Sequence, residues 1–279
     1  PIQDHIEMGF SGTDDAPSLD SLVRKIQGID YYKTLFEFVY GDTVITEIRM
    51  QFALAQFVRS IQSFDSKFDA GFAQTLNLNA PFPNFTMQEN MGKMLFLNAP
   101  GGPMPGAGCQ GCHRGPEFDI DPNSRNNGVI ASAADPDVLD LNNTRAPSLR
   151  DVFNPAGELN GPLMHNGDFE TILEVIDHYN LIPPNPANTN LDPRLAGPPP
   201  GGQGQNLNLN QNQKDAIVAF LKTLSGNNVY TDPKWSNPFL PDGNLDWTPL
   251  STGINEPAFV GLKLYPNPTT DVLNLELEN

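Results

Sequence analysis

The sequence predicts a mainly α-helical protein with long irregular loops, followed by the beginning of a small β-domain. Three observations carry this expectation. Apolar residues recur at helical spacing in several segments between residues 18 and 224. Of the 24 glycines and 27 prolines, 25 residues are concentrated in segments 99–108, 181–204 and 231–257, which read as loops and linkers. Strict apolar–polar alternation is confined to the end of the chain, from Gly261 onward.

Residues 18–40 hold two short helical patterns, around Leu19, Leu22, Val23 and Ile26 and around Tyr31, Tyr32, Leu35, Phe36 and Val39, punctuated by Gly28 and Gly41. From Thr46 to Phe64 a wide stripe of Ile48, Phe52, Phe57 and Ile61, joined by Ala53, Leu54 and Val58, gives the longest expected helix. Residues 65–86 are polar and turn-rich. A helix from Met87 to Asn98 then leads through a Gly/Pro hinge to two cysteines. After an Asp/Asn-rich stretch come a short helix near Pro147–Phe153, a helix from Thr171 to Asn180 and, past a Pro/Gly/Asn-rich excursion, a helix from Gln211 to Leu224. The alternation after Gly261 reads as a strand, cut short at Asn279.

Sixteen basic against thirty-three acidic residues leave a net charge of −17, which disfavours nucleic acid or an anionic membrane as partner and favours basic or neutral ones. No stretch approaches the roughly 18 apolar residues that a membrane-spanning helix needs. No secretory leader precedes Pro1, so any export is expected to be directed by residues outside this sequence.

The two cysteines stand three positions apart, too close to close a long loop as a structural disulfide. Cys109-Gln-Gly-Cys112-His113 has the C-x-x-C-H spacing of c-type haem attachment, in which two thiols add to the vinyl groups and the adjacent imidazole binds iron. A thioredoxin-like redox pair or half a zinc site would use the same C-x-x-C. Zinc would want two further ligands and there is no third cysteine; a redox pair would want a βαβ frame. Haem attachment also implies an oxidising, non-cytosolic compartment. The sixth iron position is open to Met164, His165, His178, Tyr179, His5 or one of the remaining methionines. Ile172, Val175, Ile176 and Tyr179 share one helical face, which turns Tyr179 inward and His178 sideways or outward. Met164 and His165 lie in the Gly161–Gly167 loop just before that helix.

The ordered set Ile61-Gln-Ser-Phe-Asp-Ser-Lys-Phe-Asp69, Met94-Leu-Phe96, C-x-x-C-H, Thr144-Arg-Ala-Pro-Ser-Leu-Arg150, Met164-His-Asn-Gly167 and Ala219-Phe-Leu-Lys-Thr-Leu224 resembles the di-haem cytochrome c peroxidases and their MauG relatives over roughly residues 1–240. The resemblance implies a cytochrome c-like helical haem domain that relays electrons, preceded by the end of a peroxide-reacting domain. It implies that residues 1–80 close that first domain and carry inter-domain helices, that 81–228 form the haem domain, and that 229–260 are a linker. A second haem c is expected upstream of Pro1. Glu7 matches the glutamate lining the peroxide pocket. Counting fourteen residues from the loop histidine His165 reaches Tyr179 as the relay haem's second axial ligand, which points to the MauG-like branch. His165 belongs to the same haem site. Asn160, where the family usually has threonine, and Pro162 match positions whose carbonyls bind calcium, and Arg150 suits a haem propionate.

The implied activity is peroxide-dependent oxidation, with a small soluble electron donor such as a cytochrome c or cupredoxin, or a protein substrate, as partner; a homodimer is compatible with it. The rival reading is a mono-haem cytochrome c without peroxide chemistry. The segment Leu264-Tyr-Pro-Asn-Pro-Thr-Thr-Asp-Val-Leu-Asn-Leu275 resembles the start of a type IX secretion sorting domain, so residues 261–279 are expected to be its truncated beginning and the protein periplasmic, secreted or on the cell surface.

Overall fold

The computed structural model describes residues 8–13, 15–118, 121–133, 135, 137–197, 204–246, 262–265 and 274–277. Helices dominate: α1 (Leu19–Gln27), α2 (Asp30–Tyr40), α3 (Glu47–Ser60), α4 (Lys67–Thr75), α5 (Met87–Leu97), α6 (Ile172–Asn180), α7 (Gln211–Lys222) and the single turn α8 (Asn228–Thr231). Between α5 and α6 the described chain has one 3-10 turn and is otherwise held by isolated bridges. Two antiparallel strands, β1 (Leu262–Tyr265) and β2 (Asn274–Leu277), pair with Leu262 opposite Leu277. The strand expected alone near the end thus finds a partner within twelve residues of itself. None of the described helices is long and apolar enough to cross a membrane.

The chain divides into two compact units, residues 61–231 and residues 1–60 with 232–279. In the second of these, α1 and α2 end at Gly28 and Gly41, and only Gly41 needs the left-handed conformation (φ 82°). The Gln27 side chain joins the loop before α3 by donating to the Thr43 carbonyl at 2.9 Å and accepting from the Ile45 amide at 2.8 Å. The longest helix is α3, as the sequence predicts, but it stops at Ser60 and leaves Ile48, Phe52, Leu54, Phe57 and Val58 exposed.

The unit 61–231 starts earlier than the expected haem domain, because residues 65–86 are not merely turns. Ser66 caps α4 by accepting from the Asp69 amide while the Asp69 carboxylate accepts from the Ser66 amide, a reciprocal pair that starts a helix with few apolar residues. Phe68 from α4 and Phe82 from the next turn then enter one core with Phe96, Phe118 and Phe220, all at most 1% exposed. Their rings meet edge to face or tilted, with Phe68 and Phe118 centroids 4.9 Å apart and Phe96 and Phe220 5.2 Å apart. Thr86 with Glu89, Thr171 with Glu174 and Asn210 with Gln213 form the same reciprocal cap on α5, α6 and α7. At Gly92 helix α5 crosses α7 backbone to backbone; an added Cβ would lie 1.8 Å from the Ala216 carbonyl oxygen.

The helix expected near Pro147–Phe153 does not form. The Pro147 carbonyl is taken by a side chain outside the segment, Asp151 is left-handed (φ 54°), and Phe153 pairs as an isolated bridge with Leu159. Lys93 is another departure from simple patterning. It is 2% exposed, donates from Nζ to the Leu78 carbonyl at 2.7 Å and to the Ala80 carbonyl, and lies 3.5 Å from the Phe82 ring centroid. Burial pulls its pKa down to about 8. Replacing Lys93 with methionine keeps the length but strands two buried carbonyls, so urea denaturation should show a loss of about 1–3 kcal/mol.

Candidate haem site

The C-x-x-C-H turn is built on the end of α5. The Ala107 amide donates to the Leu95 carbonyl at 2.7 Å, the Gly108 amide to the Asn98 carbonyl at 2.8 Å, and the Gln110 side-chain amide to the Leu97 carbonyl. Gly108 takes φ 73°, and a Cβ there would lie 2.7 Å from the Pro100 ring. A one-turn 3-10 helix, Cys109–Gly111, follows, and the His113 amide closes it onto the Cys109 carbonyl at 3.0 Å.

Both cysteines are free thiols. Burial pushes the Cys109 thiol up to about 12 and raises that of Cys112. A redox C-x-x-C pair needs the opposite, a depressed thiolate pKa. Among the described residues no group of three or more His, Cys, Asp or Glu could hold a metal ion, zinc included. The His113 Nδ1 lies 2.8 Å from the Pro147 carbonyl, which can only accept; Nδ1 therefore carries the proton and Nε2 keeps its lone pair. Burial lowers the His113 pKa and favours this neutral, metal-binding form. Two thiols and one directed imidazole nitrogen are the donor set that haem c requires, and the turn fits it.

Three residues that patterning alone did not single out fix the turn from the other side. The Arg194 guanidinium donates to the Gly111 carbonyl at 2.5 Å, to Asp121 at 2.6 Å and to both carboxylate oxygens of Asp192 at 2.8 and 2.7 Å. Although burial opposes ionisation of Asp192, its bonds from Arg194 and from the Arg125 amide hold its pKa at about 2. Asn126, fully buried, ties the same loops together. Its side chain accepts from the Gly128 amide at 2.7 Å and from Asn188 at 3.0 Å, and donates to the Asp140 carbonyl at 3.2 Å. The Asp192-Pro193 cap of a 3-10 turn and the Asn126-Asn127-Gly128 run were the signals available in the sequence.

Tyr179, in the last turn of α6, is anchored at its backbone by the Gln205 side chain, which donates to the Tyr179 carbonyl at 2.6 Å. Its hydroxyl lies 3.4 Å from Asn127 Nδ2, and the Met164 sulfur lies 3.4 Å from the same nitrogen. The structure thus brings two of the candidate sixth ligands onto one amide. Burial pushes the Tyr179 phenol up to about 12, with the Asn127 contact pulling the other way and both cysteines adding to the rise. His178, expected to face sideways or outward, instead points in. Its Nε2–H donates to the Asn127 carbonyl at 2.9 Å, and its ring meets Phe169 and Tyr179 edge-on.

Other expected residues lie apart from this cluster. His165 is exposed in the loop closed by the Leu163–Phe169 bridge, with Nε2 3.9 Å from Asp140. Asn160 donates from its side chain to the Asp151 carbonyl and the Tyr230 hydroxyl, and Pro162 is exposed. Glu7 and His5 lie outside the described residues. Arg150, expected beside a haem propionate, has its two terminal nitrogens engaged by Asp69 at 2.8 and 2.9 Å and by the Ser63 and Pro116 carbonyls at 2.6 and 2.8 Å, which makes it a cross-tie of the fold.

A family model described as "Di-haem cytochrome c peroxidase" matches residues 1–76. The chain is 30% identical over 188 residues to "Methylamine utilization protein MauG" of Methylophilus methylotrophus, covering 64% of this chain and 48% of that protein. It is 27% identical over 243 residues to "Cytochrome c551 peroxidase" of Nitrosomonas europaea, covering 82% of this chain and 58% of the relative. Among solved structures, a MauG-like protein associated with microbial copper homeostasis aligns at 24% identity and a TM-score of 0.49, over 78% of this chain and 65% of that one. The chain spans about half the length of the curated relatives it matches. The family match at its start, and relatives that extend it well past the haem-attachment turn, make the chain similar to the di-haem cytochrome c peroxidases and MauG proteins.

Proposed function

We propose that this chain is the electron-relay half of a peroxide-using di-haem enzyme of the MauG or cytochrome c peroxidase type. The observation that carries the reading is the C-x-x-C-H turn, with a His113 Nε2 freed for iron by the Nδ1 bond to Pro147. Cys109 and Cys112 would hold haem c through thioether bonds, His113 through Nε2 and Tyr179 through its oxygen. Bound there, haem c would supply a one-electron carrier whose potential depends on the residues that hold its iron. Arg194, Asp121 and Asp192 hold the turn rigid, and the phenylalanine core behind Cys109 keeps water from that side.

Glu7 is the proposed proton carrier for peroxide cleavage at a second haem contributed by sequence outside this chain. The backbone carbonyls of Asn160 and Pro162 are the proposed calcium ligands, in keeping with an Asn160 side chain already engaged elsewhere. The acidic surface suits a basic electron-donor protein. Covalent haem attachment fits a periplasmic or secreted location, with residues 261–279 as the proposed sorting segment. A mono-haem cytochrome is the second reading, favoured by the Met164 sulfur sharing Asn127 with the Tyr179 hydroxyl.

Expression with a c-type haem maturation system should yield one covalent haem on the 109–113 peptide, seen by mass spectrometry and a pyridine haemochrome spectrum. The Cys109→Ala/Cys112→Ala pair should carry none. Haem retained by that double variant would defeat the attachment assignment. Peroxide-dependent oxidation of a reduced cytochrome by the full gene product separates the two readings, since a mono-haem carrier would give none.

A further inference from the structure

Resting on the haem reading above, we propose that Asn127 is a positioning residue that decides which of two side chains, Tyr179 or Met164, binds the iron. Asn127 is 9% exposed, and both hydrogens of its amide nitrogen have an acceptor at the same distance, the Tyr179 oxygen and the Met164 sulfur, each 3.4 Å away. The amide cannot be turned over. Its oxygen accepts from the Val129 amide at 3.1 Å, so the nitrogen must be the end that faces the two candidate ligands.

The backbone of Asn127 is fixed as well. Its carbonyl takes the His178 Nε2–H, and so it is tied to the residue next to Tyr179 on the same helix. On either side, the Asn126 amide donates to the Asn190 carbonyl at 3.2 Å, and Gly128 holds φ 92° with a Cβ position only 3.3 Å from the His178 ring. Met164 reaches the amide from a left-handed backbone, φ 66°, a conformation that a side-chain-bearing residue keeps only where the surroundings impose it.

This fork is not neutral between its two acceptors. A phenolic oxygen accepts an N–H bond much better than a thioether sulfur does. The amide therefore steadies the Tyr179 oxygen in the ligating position and holds Met164 beside it as the displaced competitor. Without the donor, the two side chains compete on their affinity for iron alone, and a thioether favours the reduced metal where a phenolate favours the oxidised one.

The test is Asn127→Ser in the haem-loaded chain, because the serine hydroxyl keeps an acceptor for the Val129 amide but is too short to reach either ligand. The oxidised wild type should lose its tyrosine-to-iron charge-transfer band in Tyr179→Phe. Asn127→Ser should weaken that band and gain the far-red band of thioether–iron coordination, which Met164→Leu added to it should abolish. The ferric–ferrous equilibrium should shift at least tenfold toward ferrous iron, a rise of about 59 mV or more. Should Asn127→Ser not fold, Asn127→Asp, which also keeps the turn but presents no N–H, should show the same change of bands. A folded variant with the wild-type spectrum and potential would overturn the role of Asn127. Absence of covalent haem in the wild type, or an unchanged band in Tyr179→Phe, would overturn the haem reading and the role together.

Discussion

Gly92→Ala is expected to cost more than about 3 kcal/mol, a large part of the roughly 5–15 kcal/mol that holds a domain folded. On helix propensity alone the change should stabilise by up to about 1 kcal/mol. Packing decides the sign. The new methyl carbon would lie 1.8 Å from the Ala216 carbonyl oxygen and 2.8 Å from the Phe220 Cβ, and neither is the end of a flexible side chain that could swing away. Ala216 and Phe220 are fully buried, so relief requires α5 and α7 to separate as rigid bodies. That separation opens the aromatic core at Phe96 and Phe220, whose rings meet at 5.2 Å. It also moves the end of α5, whose carbonyls at Leu95, Leu97 and Asn98 hold the haem-attachment turn. Denaturant titration should show the loss of stability, and the yield of covalent haem should fall with it. A variant of wild-type stability would mean that the helices do not cross this closely.

What the sequence made legible follows from how local each signal is. Helices α5, α6 and α7 could be read to within about two residues because apolar spacing and a capping residue coincide in each. The C-x-x-C-H turn was readable for the same reason: its chemistry lies within five consecutive residues. By contrast α4 was hidden, since its start depends on the Ser66–Asp69 exchange and its burial on Phe82, Phe118 and Phe220 from elsewhere. The inward turn of His178 was equally out of reach, because helical period places it beside the core face and only the carbonyl of Asn127, fifty-one residues earlier, draws it in. Arg194 and Asp192 looked like loop residues in a proline-rich stretch. Their part in fixing the turn at Gly111 arises from contacts across about eighty residues of mostly irregular chain, which no periodicity encodes.

Arg150→Ala should destabilise the unit 61–231 by about 3–5 kcal/mol at neutral pH, because it leaves a largely buried carboxylate without its partner. In the wild type the Arg150 side chain is 8% exposed and that of Asp69 19%, and the guanidinium meets the carboxylate with both terminal nitrogens. It also lies 4.5 Å from the Phe64 ring centroid and donates to the carbonyls of Ser63 and Pro116. Burial alone would raise the Asp69 pKa; the bonds from Arg150 and Ser66 more than offset it, and the net shift is downward. A lowered folded pKa means stability that is present above the ordinary carboxylate value of about 3.9 and lost as the pH falls through the folded value. Removing Arg150 takes away the largest of the lowering influences and leaves burial in place, so that Asp69 is stabilised by protonation instead. The deficit of the variant should therefore be greatest near pH 7 and shrink as the solution is acidified toward about pH 3. Urea denaturation of both proteins across that range measures it. A deficit that stays constant with pH would show that Arg150 acts through its contacts with Ser63, Pro116 and Phe64, and not through the charge of Asp69.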